Sequence, residues 1–128
     1  MAKAAEYGLG PQTFPRGWFI VAEKSELDAG PMAVTFFGRD LALYRGERGR
    51  PVMLDAYCAH MGTHLTAGHS AMIVRNGKQI EGDSIRCPYH AWRYGPDGHV
   101  DDIPYHDGPC PKSASIRSAW RVYQRARN

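Results

Sequence analysis

Aliphatic core formers are scarce in this chain. Its 128 residues hold only 6 Leu, 6 Ile, 6 Val and 4 Phe, against 14 Gly and 9 Pro. With a large net charge such a composition would predict disorder, but the formal charge is only +3. A loop-rich fold with a small core braced by a metal fits better. No apolar run approaches the roughly 20 residues that span a membrane, and Met1 to Gly10 contain no apolar stretch of the kind a secretory leader needs. No membrane association is expected. A dominant charge sign is missing as well. With 16 Lys and Arg against 13 Asp and Glu, the chain offers little to a polyanion, so no nucleic-acid partner is expected. Cysteine is down to three residues. An odd count argues against a disulfide framework and for a reducing, cytoplasmic setting. At 14.3 kDa there is room for one ordinary domain and no second catalytic one.

What is present is a series of short strand-like runs cut by turn residues. Trp18–Ala22, Met32–Phe37, Leu41–Tyr44 and Val52–Ala56 are separated by Asp28-Ala29-Gly30-Pro31, Gly38-Arg39-Asp40 and Gly46–Pro51. Met72–Val74 and Lys78–Ile80 flank Arg75-Asn76-Gly77, a tight-hairpin signal. Ser84–Arg86, Trp92–Tyr94, His99–Val100, Ser115–Ser118 and Arg121–Gln124 complete the set, and Glu23–Leu27 reads as a single helical turn. This spacing predicts an all-β, antiparallel sandwich or barrel.

Two of the three cysteines keep company with histidine. Cys58-Ala59-His60 and Cys87-Pro88-Tyr89-His90 each place one thiol and one imidazole within a tight turn. Two such turns brought together make a two-Cys, two-His site. Zinc is one occupant, since it takes such donors tetrahedrally. Zinc knuckles, however, pair Cys with Cys and His with His, whereas here each loop mixes the two. That mixture suits a [2Fe–2S] centre in which two Cys hold one iron and two His the other.

The run Tyr57-Cys58-Ala59-His60-Met61-Gly62-Thr63-His64-Leu65, followed by Cys87-Pro88-Tyr89-His90-Ala91-Trp92, resembles the cluster signature of Rieske proteins. The resemblance implies a Rieske-type antiparallel β-sandwich with a small cluster-binding subdomain of two loops. It also implies that Cys58, His60, Cys87 and His90 are the ligands. The respiratory branch of the family carries a disulfide between its loops, at positions that are Thr63 and Tyr89 here. It also places a serine hydroxyl near a cluster sulfur where this chain has Trp92. Fewer hydrogen bonds to sulfur imply a lower potential.

Phe14-Pro15-Arg16-Gly17-Trp18-Phe19, Phe37-Gly38-Arg39-Asp40-Leu41, Leu54-Asp55-Ala56-Tyr57-Cys58 and Ile103-Pro104 are similar instead to the N-terminal Rieske domain of Rieske non-haem iron oxygenases. Among these, the likeness is greatest to oxygenases of sterol-like or other polycyclic substrates. It implies one-electron transfer, with an NAD(P)H-dependent flavin reductase or a ferredoxin as donor and an oxygenase catalytic domain as acceptor. The resemblance divides the chain into a lead-in at residues 1–17 and a Rieske domain at 18–128 that lacks its last strand. The chain is then an oxygenase head, or a free-standing Rieske ferredoxin with an oxygenase-like sequence. In neither case does it hold the mononuclear iron that activates oxygen, so alone it is expected to carry electrons and oxygenate nothing. A zinc-binding structural module is the remaining alternative.

The stretch between His60 and Cys87 is longer than the family's, which places a hairpin insertion within Ser70–Gly82. His64, His69, His99 and His106 read as surface residues, Cys110 as a structural or free thiol, and Trp18, Phe19 and Trp120 as core. Tyr89 and Trp92 read as shields for the cluster or as core. The basic stretch Lys112, Arg117, Arg121, Arg125 and Arg127 reads as a solvated face.

Overall fold

The computed structural model of the chain describes residues 17–67, 78–112, 115–116 and 119–124. Its first hairpin turns on Phe37 and Gly38, both at positive φ (56° and 69°). A two-residue loop with both residues in that region matches the right-handed twist of the strands it joins. It connects β1 (Met32–Phe36) to β2 (Arg39–Arg45), with Phe36 opposite Arg39. β3 (Pro51–Asp55) then pairs with β2. Four shorter strands follow: β4 (Ile80–Glu81), β5 (Ser84–Arg86), β6 (Arg93–Tyr94) and β7 (Val100–Asp102). β8 (Ala119–Trp120) returns to pair with β3. The described residues thus form two antiparallel four-stranded sheets, ordered β1-β2-β3-β8 and β4-β5-β6-β7. The all-β expectation holds. No helix among the described residues is long and apolar enough to cross a membrane.

Alternation along the strands explains how the sheets pack. Ala42 and Tyr44 of β2, with Val52 and Leu54 of β3, face Ile85, Tyr94 and Val100 of the second sheet, and these residues form the main core. Cys58, Leu65 and Cys87 belong to the same cluster. The intervening residues Leu41, Leu43 and Met53 face the other way. They are covered by Val21, Ala22 and Leu27, the last lying on a 3₁₀ helix at Lys24–Ala29. The first sheet is therefore buried on both faces, which is how so few aliphatic residues make two cores.

Several expectations need correction. Trp18–Ala22 is not a strand. Trp18 is 75% exposed and Phe19 nearly half exposed, because this segment covers the sheet only with Val21 and Ala22. Trp120 does pack in the second core. The strand near the end is Ala119–Trp120, and Arg121–Gln124 is not one. β4 turns into β5 at Gly82-Asp83, two residues between the paired Glu81 and Ser84. The Asn76-Gly77 turn expected within 70–82 lies outside the described residues, as does His69.

The second sheet has strands of only two or three residues, too short for backbone pairing alone to define. An ion network crosses all four. Arg93 on β6 donates to Glu81 of β4 and Asp101 of β7. Arg86 on β5 pairs with Glu81 and with Asp102 of β7. Ser84 Oγ donates to Asp101. A β-bulge makes this possible. Arg93 opposes Asp102 while Tyr94 opposes Val100, so Asp101 is the extra residue and both aspartates reach the arginine face.

Candidate metal centre

The two Cys–His loops are the same turn built twice. The first leaves β3 and the second leaves β5. In the first, Cys58 N–H donates to the Thr63 carbonyl (2.8 Å) and Gly62 N–H donates to the Cys58 carbonyl (2.9 Å). In the second, Cys87 N–H donates to the Trp92 carbonyl (2.8 Å) and Ala91 N–H donates to the Cys87 carbonyl (3.0 Å). The partners fall at the same offsets from each cysteine. The fourth residue after the cysteine has positive φ in both, Gly62 at 76° and Ala91 at 64°. The backbone N–H groups of the second and third residues after each cysteine point back at its sulfur: His60 and Met61 for Cys58, Tyr89 and His90 for Cys87. Only the histidine differs, at the second place in one loop and the third in the other.

Facing each other, the turns bring the two thiols into contact in the core, Cys58 at 4% and Cys87 at 2% exposure. Sharing one proton with Cys87 draws the Cys58 thiol down to about 6, helped by Tyr94 and by the N–H groups of His60 and Met61. Cys87, left holding that proton, is pushed up. The His60 and His90 rings stand 5.0 Å apart and are half-buried. Of the four candidate ligands from the two motifs, the fold thus gathers all four, with thiols inside and imidazoles at the rim.

This donor set fits a two-iron cluster better than a single ion. His90 Nδ1 is buried with no hydrogen-bond partner, the state of a lone pair meant for a metal. Two buried thiols that face each other and two imidazoles paired at the rim match two irons, one held by each pair.

Two polar side chains complete the site without a motif to announce them. Tyr94 is fully buried on β6. Its hydroxyl oxygen accepts from Ala59 N–H (2.9 Å), so its own proton is free for Cys58 Sγ, 3.1 Å away. Burial, and then the sulfur, push its own ionisation up. The position of Trp92 carries no hydroxyl, and Tyr94, two residues on, supplies one to Cys58 Sγ that the sequence reading misses. Gln79 is buried, and its amide donates to the carbonyls of Leu65 (2.6 Å) and Arg86 (3.2 Å). It ties the end of one loop to the start of the other.

Around the imidazoles, Trp92 stacks on His60 at 4.4 Å and 10°, and Tyr89 leans on His90 at 3.8 Å. Trp92 Nε1–H donates to the exposed Tyr105 hydroxyl. The two aromatics shield the histidines, while Met61 and Tyr89 stay open to solvent. His64 is not the surface residue expected. It is half-buried, bridges to Tyr57 and accepts at Nδ1 from Thr66 N–H (3.1 Å). Burial holds its pKa below the ordinary histidine value, against the pull of Asp40. His99 and His106 are exposed as expected. Cys110 is a free thiol against the main core.

Comparison with known proteins follows this geometry. The family model described as "Rieske [2Fe-2S] domain" matches residues 17–116. Cholesterol 7-desaturase nvd of Bombyx mori is 37% identical over 115 residues, 89% of this chain and 23% of its own. The oxygenase component of 3-ketosteroid-9-alpha-monooxygenase from Rhodococcus rhodochrous is 39% identical over 108 residues, 82% of this chain and 26% of its own. The chain spans about a quarter of the length of these relatives. Among solved structures, dicamba monooxygenase bound to its iron and dicamba superposes with a TM-score of 0.68 at 29% identity, covering 85% of this chain and 30% of that one.

Proposed function

Because the chain belongs to the Rieske [2Fe–2S] domain family, we propose that it passes single electrons as the Rieske domain of an oxygenase component, with Cys58 and Cys87 on one iron and His60 and His90 on the other. When bound, the cluster supplies one-electron redox chemistry. The chain's own residues set the terms. Burial disfavours negative charge at the sulfurs, and the inward N–H groups of His60, Met61, Tyr89 and His90 compensate it. Tyr94 adds a hydroxyl donor on Cys58. Trp92 and Tyr89 exclude water from the imidazoles while leaving them near the surface, where an electron enters and leaves.

The observation that carries this reading is the doubled turn, which sorts thiols inward and imidazoles outward. The donor is a flavin reductase or ferredoxin, and the acceptor is the mononuclear iron of an oxygenase catalytic domain. Residues 18–128 act as the electron-carrying unit, and three cysteines without a disulfide between them suit a reducing cytoplasm. The sterol names of the relatives support a sterol-like substrate for the complete oxygenase. A free-standing ferredoxin would use the same centre.

The test is the visible spectrum and iron and sulfide content of anaerobically purified protein, then EPR after dithionite. Two irons and two sulfides per chain, with a rhombic reduced signal of low average g, are expected. A colourless protein carrying one zinc and no sulfide would overturn the proposal.

A further inference from the structure

Arg86 stands directly before Cys87 and has no part in the chemistry above. It is 2% exposed. A buried cation is costly unless paired, and two carboxylates, Glu81 of the adjacent β4 and Asp102 of β7 two strands away, lie within ion-pair distance of it. Nη2 lies 2.8 Å from both Glu81 Oε2 and Asp102 Oδ2. The other arm does something different. Nη1–H donates to the carbonyl of Ala91 at 2.8 Å, across the ligand loop.

Ala91 needs such a partner. Its φ of 64° is in the left-handed region, which the Cβ of an alanine disfavours. The equivalent Gly62 adopts 76° without that cost, and nothing stands within 4 Å of where its Cβ would be. The peptide before Ala91 is held by Ala91 N–H on the Cys87 carbonyl. The peptide after it is held by Arg86. Were Ala91 to relax to an ordinary φ, the His90–Ala91 peptide would rotate and the His90 ring would move with it.

We infer that Arg86 is a positioning residue for the second ligand loop: its guanidinium holds Ala91 in the left-handed conformation and so fixes where the His90 ring stands. The inference rests on the electron-carrier reading. The competing role is that Arg86 merely staples the short-stranded sheet, as Arg93 does through Glu81 and Asp101.

The experiment uses the 128-residue chain loaded with its cluster. Arg86→Gln is made with and without Ala91→Gly, beside Arg93→Gln. The readouts are the g-values of the reduced cluster and the rate of iron loss to a chelator. Arg86→Gln alone should shift the g-values and speed iron loss about tenfold, the equivalent of one charged hydrogen bond. In the Ala91→Gly background most of that loss should vanish, because glycine holds the turn unaided. Arg93→Gln should lower the melting temperature and leave the g-values alone. Arg86→Lys keeps the charge, and carries the same comparison if Arg86→Gln does not fold. Equal iron loss in both backgrounds, or g-values moved as far by Arg93→Gln, would show a sheet staple and overturn the inference. A wild-type chain that never shows a [2Fe–2S] spectrum would instead sink the carrier reading itself.

Discussion

In the first ligand loop the fourth residue after the cysteine is Gly62, at the surface with open space around it. In the second it is Ala91, buried, with its carbonyl on a buried arginine. Backbone hydrogen bonds and N–H groups toward sulfur are the same in both. The first loop gets its left-handed residue from glycine's missing Cβ. The second gets it from tertiary contacts that override an alanine's preference. One turn geometry is therefore reached by two routes, one through a missing Cβ and one through a side chain five residues back that is itself held by Glu81 and Asp102. The first route should tolerate disturbance elsewhere in the molecule, and the second should feel the loss of those carboxylates.

The largest break would come from the feature the loops share. Replacing either buried thiol, Cys58→Ser or Cys87→Ser, should abolish cluster content, measured as iron and sulfide per chain, because each supplies one of the two thiolates the centre needs. The next effect separates the loops. Gly62→Ala should lower stability by about 1 kcal/mol in denaturant unfolding, since the added Cβ meets nothing but the backbone resists. Ala91→Gly should show no such penalty. If both substitutions cost the same, the contrast between the loops is wrong.

Tyr94→Phe acts on the first loop's sulfur. It removes the hydroxyl proton from Cys58 Sγ while leaving the ring in the core. Losing one donor to sulfur should lower the reduction potential by about 50 mV in a redox titration, on the order of 1 kcal/mol for a one-electron couple. The smallest effect concerns His64. Burial depresses its folded pKa, so the folded state favours the neutral ring. Its contribution to stability is present above the unfolded value and is lost as pH falls from about 6.5 through the lower folded value. Thermal unfolding between pH 8 and 5 should therefore show a decline below pH 6.5 that His64→Gln flattens.

Reading the chain alone went far where the signal was local. Turn residues bounded β1, β2, β3 and β5 to within two residues, because Gly, Pro and Asp mark chain reversals whatever surrounds them. The Cys-x-His and Cys-x-x-His units were legible for the same reason. Trp18 and Phe19 misled, since an aromatic pair beside a turn does not say whether a sheet face lies beneath it. Tyr94, Gln79 and Arg86 went unseen as site residues. Each is an ordinary side chain on a short strand or beside one, and each matters only through a partner that folding brings near: Tyr94 to Cys58, Gln79 to Leu65 and Arg86 to Ala91.

By itself, the sequence determined the chemistry of the centre: two thiols, two imidazoles and the tight turns that hold them. Those depend on residues within a few positions of one another. Only the tertiary structure decided that the two unequal spacings are one turn, that the thiols meet inside while the imidazoles stay at the rim, and that a bulge at Asp101 aligns both aspartates with the arginines. The physical reason is that burial, ion pairing and a held left-handed alanine are properties of neighbours in space, and most of those neighbours come from other strands and loops.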